Sequence, residues 1–198
     1  MRNLSTNEFC RNFHAFADGT RFARKFATMR ECYAALLAGE AGEYSTSWAI
    51  WAATQEGVMS DQNLRLFAVR CARRVQHLME DRRSTDALDV AERYANGEAT
   101  DDELSAACDA AWYACVTACD AGDAARVAAR VAARGATWDA ARVAAVDSVR
   151  AAALAARDIA CDAYDAYDDA WDAERREQLK ILAGFGNPVE EEEEAAAE

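Results

Sequence analysis

Apolar residues recur at steps of three and four along most of this chain, the spacing that lines one face of an α-helix. Leu64, Phe67, Cys71, Val75 and Leu78 draw the clearest such face, in a segment opened by Ser60. Upstream, Thr6 or Asn7 is positioned to cap a first helix running to about Phe16. An Asp18-Gly19-Thr20 turn then predicts a second helix from Thr20 to Leu37, ended by Gly39 and Gly42. A short helix follows from Ser45 or Ser47 through Trp48 and Trp51, stopping at Gly57.

Downstream, Ser84 precedes Ala87, Leu88, Ala91 and Tyr94, and Asn96-Gly97 closes that helix as a left-handed C-cap. Thr100, with Glu103 three residues on, forms a capping box for the next. Cys108, Trp112, Cys115 and Cys119 continue its apolar stripe as far as Gly122. From Asp123 the pattern is helical to Leu182, broken inside only by Gly135. An unbroken helix from Ala136 to Leu182 would span about 70 Å, too long for a compact domain of this size, so a bend is expected near Arg157-Asp158.

Composition sharpens this into a fold class. Ser84 to Arg157 is written almost entirely in alanine, arginine and aspartate, and the one proline is Pro188. The expectation is an all-α, multi-helix bundle with short N-terminal helices, long Ala-rich helices and an acidic C-terminal tail. Residues 1–186 read as a single domain, locally basic over 1–83 and Ala/Asp-rich over 84–183, with 187–198 as a solvated, disordered end. Small residues do not recur with a period of 30 to 40, so a solenoid is not indicated. Alanine-faced helices approach closely and leave little space for a ligand cavity, which favours a binding protein over an enzyme.

The formal charge of −13 is unevenly spread. Residues 1–35 hold six basic and three acidic side chains, and residues 64–83 hold six arginines against Glu80 and Asp81. By contrast, residues 84–124 carry ten acidic side chains against Arg93 alone, and 158–174 carry seven with no base. The tail supplies six glutamates, without which the charge would be −7. No run of about 18 uncharged apolar residues and no leader pattern is present, so a soluble cytoplasmic protein with no membrane partner is expected. Seven scattered cysteines, none in a CxxC pair, read as small apolar residues in a reducing compartment.

Catalytic and cofactor motifs are missing: there is no GxSxG, GxxxxGK[ST], HExxH or GxGxxG, and His14 and His77 fall in separate segments. No catalytic residue, metal or cofactor is expected. Cys108, Cys115 and Cys119 share a helix face, but a structural zinc site needs a fourth ligand that the pattern does not supply.

Three constellations stand out as candidate binding groups. Asp158, Asp162, Asp165, Asp169 and Asp172 draw an acidic line along one helix face, with Tyr164, Tyr167 and Trp171 as an aromatic stripe beside it. The ordinary reading is a solvated face next to a core stripe. The functional reading is a docking surface for a basic, nucleic-acid-binding protein. Trp48 and Trp51, three apart, are core residues or an exposed anchor pair. Arg73, Arg74, Arg82 and Arg83 either pair with carboxylates or hold a phosphate-bearing ligand. Direct binding of duplex DNA is not expected of so acidic a chain.

The segments Ser47 to Ala52 (SWAIWA) and Arg65 to Arg73 (RLFAVRCAR) carry a family resemblance that continues through Asp81-Arg82-Arg83-Ser84, Ala91 to Thr100 and Glu103-Leu104. In these residues the chain resembles a family of alanine-rich proteins assigned as immunity proteins in phage and bacterial genomes. The specific part runs from Trp48 to Leu104. The resemblance implies an all-helical fold and an inhibitory binding role, with no catalytic residues to carry over. The acidic Asp/Tyr/Trp segment after Asp158 and the polyglutamate end depart from the family pattern.

Three functional expectations follow. The first is a phage anti-defence inhibitor of the anti-CRISPR kind, binding a host nuclease complex stoichiometrically through its acidic surface. The second is a sponge holding a phosphorylated signalling nucleotide in an arginine-lined groove. The third is a dedicated immunity protein for a toxin. The oligomeric state and the target are not legible in the chain.

Overall fold

The structure is a computed structural model that describes residues 5–117 and 163–187. Among these residues it is all-α: eight helices, two single 3-10 turns and no strand. The helices are α1 (Thr6–Asn12), α2 (Ala17–Ala23), α3 (Met29–Leu37), α4 (Ser45–Ala53), α5 (Asp61–Arg74), α6 (Arg82–Ala95), α7 (Asp101–Thr117) and α8 (Ala163–Ala183). Contacts divide the chain into two compact units, one containing residues 5–60 and 179–187 and the other 61–117 and 163–178. The expected bend near Arg157-Asp158, the break at Gly122 and the polyglutamate end lie outside the described residues.

In the first unit, α1 packs on α2 and α3, and α3 packs on α4. Ser5 caps α1 in a capping box with Glu8, and Thr28 caps α3 in another with Glu31. The two caps meet in an isolated antiparallel bridge, and the Thr6 hydroxyl donates to the Phe26 carbonyl at 2.9 Å. This arrangement corrects two boundaries. The first helix ends at Asn12 instead of Phe16, with His14 in the left-handed region at φ 52°. The predicted helix from Thr20 to Leu37 is two helices, divided at residues 24–28. Glu31 takes up the amide of Thr28 as well as that of Ala27, so the new start costs no unsatisfied donor. Phe9, Cys32, Tyr33, Leu36 and Ile50 fill the core of this unit.

The second unit is built on α5, α6 and α7 packed in sequence. Phe67, Ala68, Cys71 and Ala72 of α5 and Leu88 of α6 are almost completely buried. Val69, Ala91 and Leu104 form a small core where the three helices meet, covered by Val90, Tyr94 and Cys108. Asp81, rather than Ser84, caps α6 by accepting from the Arg83 amide at 2.9 Å. The Thr100–Glu103 capping box forms as the sequence predicts, with the Thr100 amide donating to Glu103 at 2.8 Å. Gly97, at φ 76°, turns the chain between α6 and α7, a conformation that costs a side chain with a Cβ about 1 kcal/mol.

The apolar stripe of α7 differs from the expected one. Leu104, Ala111 and Ala114 are buried and Cys108 half-buried, whereas Trp112 is 51% exposed. Helices in contact through alanine have no room for an indole between them, so the alanines take the inner face and the tryptophan turns out.

Candidate functional site

The four arginines singled out in the sequence are each engaged by carboxylates. Arg73 donates to Asp89 at 2.6 Å and to Glu92 at 2.8 Å, with Gln76 as a third partner at 3.0 Å. Two acceptors at i and i+3 on α6 thus clamp one guanidinium of α5. Arg83 donates through Nε and Nη2 to its near neighbour Asp81, which holds that carboxyl below its usual range. Arg82 faces Asp86 at 3.5 Å and is almost fully exposed. Further along, Arg93 joins Glu103 at 3.0 Å.

Arg74 makes the pair that the sequence could not show. Its Nε donates to both oxygens of Glu174, at 3.0 and 2.9 Å, and its Nη1 lies 3.6 Å from Glu177. Glu174 is only 5% exposed. Burial pushes its carboxyl above the usual carboxylate range despite the opposing pull of Arg74; Glu177 adds to the rise and His77 opposes it. Gln178, one turn on, is buried too.

The aromatic stripe of α8 leads directly onto this buried pair. Tyr167 and Trp171 are half-buried and stacked, with centroids 5.8 Å apart, and Glu174 and Gln178 continue the same face at helical spacing. Asp169 and Asp172 lie off that face and are exposed, together with Asp168. The helix therefore separates an inner aromatic-to-polar face from an outer acidic one. Asp158 and Asp162 lie outside the described residues, and for Tyr164 and Asp165 only the helical backbone is described.

Trp48 and Trp51 belong to the first unit and are built into its aromatic packing. Trp48 stacks on Tyr44 at 5.1 Å and leans on Phe22 at 5.7 Å, while Trp51 meets Phe9 edge-on at 5.9 Å. Both line a small apolar cavity of about 30 Å³ with Phe9, Phe16, Phe22 and Met29. Such a space holds a water-sized or methyl-sized group and little more. Phe16, at 73% exposure, stands at this lining.

Burial raises the thiol pKa of Cys10, Cys71 and Cys108 and pushes that of Cys32 up to about 12. These sulfurs are neutral thiols at physiological pH, the form that neither attacks nor ligates readily. Among the described residues no group of His, Cys, Asp and Glu is arranged to hold a metal, and no helix is long and apolar enough to cross a membrane.

Sequence reasoning missed Glu174 and Gln178 as buried polar groups, although both continue the Tyr167–Trp171 spacing. It also missed the exposed aromatic pair Trp112 and Tyr113. Comparison with known proteins finds no matching family model, no matching curated protein and no matching solved structure.

Proposed function

We propose that this chain is an inhibitor that binds a basic, nucleic-acid-handling protein stoichiometrically through its acidic helix faces, as an anti-defence factor acting on a nuclease complex would. The observation that carries this reading is the disposition of charge in the second unit. Its described residues hold 17 acidic side chains against 9 arginines, a surplus of eight carboxylates. Arg73, Arg74, Arg83 and Arg93 are each held in ion pairs with neighbouring carboxylates, while Asp168, Asp169 and Asp172 stand exposed. A surface of this kind attracts a cationic partner, speeds encounter and discriminates against anionic ligands.

The family resemblance points to the same class of activity, and a toxin-directed immunity protein would differ only in its target. The nucleotide-sponge reading needs several guanidinium groups available to phosphate. Carboxylates hold Arg73, Arg74 and Arg83, which favours the protein-binding reading, while Arg82 is largely exposed.

The experiment is a comparative capture from the native host using an N-terminally tagged chain and a variant with Asp168, Asp169 and Asp172 all changed to Arg. A dominant basic protein retained by the natural chain, released by salt and lost in the variant supports the reading. Equal retention by both chains, or a dominant acidic partner, removes it.

A further inference from the structure

We propose that the outward face of α7 is a docking surface for an arginine- or lysine-bearing segment of a protein partner, with Trp112 as its anchor. The proposal rests on the preceding reading that the partner is basic, and it names a surface which that reading does not contain.

The face is defined by geometry. Asp102, Asp109, Trp112 and Tyr113 are all exposed, and Asp109 stands three residues before Trp112 and four before Tyr113, so the three share one side of the helix. Tyr113 is 67% exposed and Trp112 51%, an unusual area of aromatic surface to leave in water on two consecutive residues. The opposite side of α7, carrying Leu104, Ala111 and Ala114, makes the contact with the rest of the unit. Ser105 and Ala106, between Asp102 and Asp109, are short and exposed and place no bulky side chain between the two carboxylates.

Charge selects the occupant. Asp101 accepts the Tyr94 hydroxyl at 2.6 Å and Glu103 accepts Arg93, which leaves Asp102 and Asp109 as the α7 carboxylates outside these pairs. A guanidinium placed here meets a carboxylate on one side and an indole face on the other, two interactions that reinforce each other. A nucleic acid or an anionic lipid surface would meet the same carboxylates with repulsion. A second copy of this chain would set Asp102 and Asp109 against their own kind.

The test uses the full-length chain labelled with nitrogen-15 and a synthetic helical peptide of alanine with arginine at every fourth position. Supporting results are movement of the Trp112 indole signal and the Asp109 amide on peptide addition, and at least about fivefold weaker binding by Trp112→Ala at unchanged helicity. Asp109→Arg should weaken binding as well. Shifts confined to residues 168–172, with Trp112→Ala binding normally, would overturn this surface and leave the basic-partner reading standing. Failure of the peptide to move any signal at low salt would overturn both. An indole of Trp112 that is shielded from a soluble paramagnetic agent in the free chain, or that shifts with protein concentration alone, would show the face already covered and also overturn the proposal.

Discussion

Arg74 and Glu174, a hundred residues apart, form an ion pair between distant parts of the chain, with the guanidinium Nε shared between both carboxylate oxygens at 3.0 and 2.9 Å. The pair joins α5 to α8 inside one compact unit, and its acidic member is almost fully buried. A carboxylate removed from water is favourable only while its partner is in place.

Arg74→Ala should therefore destabilise the protein by about 2 kcal/mol near neutral pH, a buried-pair value reduced because the Arg74 side chain is partly exposed. Glu174→Gln removes the buried charge along with the pair and should be no less stable than the natural chain. Urea unfolding of both single variants and the double variant measures this. If Arg74→Ala costs the same with Gln at 174 as with Glu, the pair is not the cause.

The raised pKa of Glu174 fixes the sign of a pH effect. A group that holds its proton more tightly when folded contributes stability below its unfolded value, near 4.5, and loses that contribution as pH rises through the folded value. The cost of Arg74→Ala should shrink as pH falls and Glu174 takes up a proton. Glu8, Asp81 and Glu103 have lowered values and act oppositely, contributing above the usual carboxylate range and losing that contribution on acidification. The difference in Tm between Glu174→Gln and the natural chain, followed from pH 7 downward to about pH 4, isolates the Glu174 part and should close towards the acid end.

Thr28→Ala should cost about 1 kcal/mol, the usual value of a lost N-cap, and Thr28→Ser should recover most of it. Thr20→Ala should cost less, because Thr20 lies inside α2 and caps no helix, its hydroxyl making a long 3.4 Å contact with the Ala15 carbonyl. The reverse order would mean that a single helix starts at Thr20. Thermal unfolding followed by circular dichroism separates the two.

Much of the fold is legible from local signals. Thr100 with Glu103, and Gly97 between two helical patterns, mark boundaries by capping chemistry that acts within a few residues. Thr28-Met29-Arg30-Glu31 carries the same capping signature, yet apolar periodicity continues across it, and no glycine or proline marks the break at residues 24–28. Trp112 was misplaced for a different reason. When alanine occupies every side of a helix, its pattern fits several faces, and only the neighbouring helix decides which is buried. Glu174 illustrates the same limit, since its burial depends on an arginine that one sequence cannot assign to it.

Cys10, Cys32 and Cys71 should react with a thiol reagent at pH 8 far more slowly in the native chain than in urea, because burial both shields the sulfur and disfavours the thiolate. Mass spectrometry of peptides after timed alkylation reports each site separately. Rapid native labelling of Cys32 would contradict the packing of α3 in the first unit.

The most direct test of the central claim is native mass spectrometry of the chain captured from its host, followed by denaturation to release whatever it holds. The expected result is a basic protein in fixed stoichiometry, dissociating as salt rises. A phosphorylated nucleotide released without any protein, from a complex that survives high salt, would contradict it.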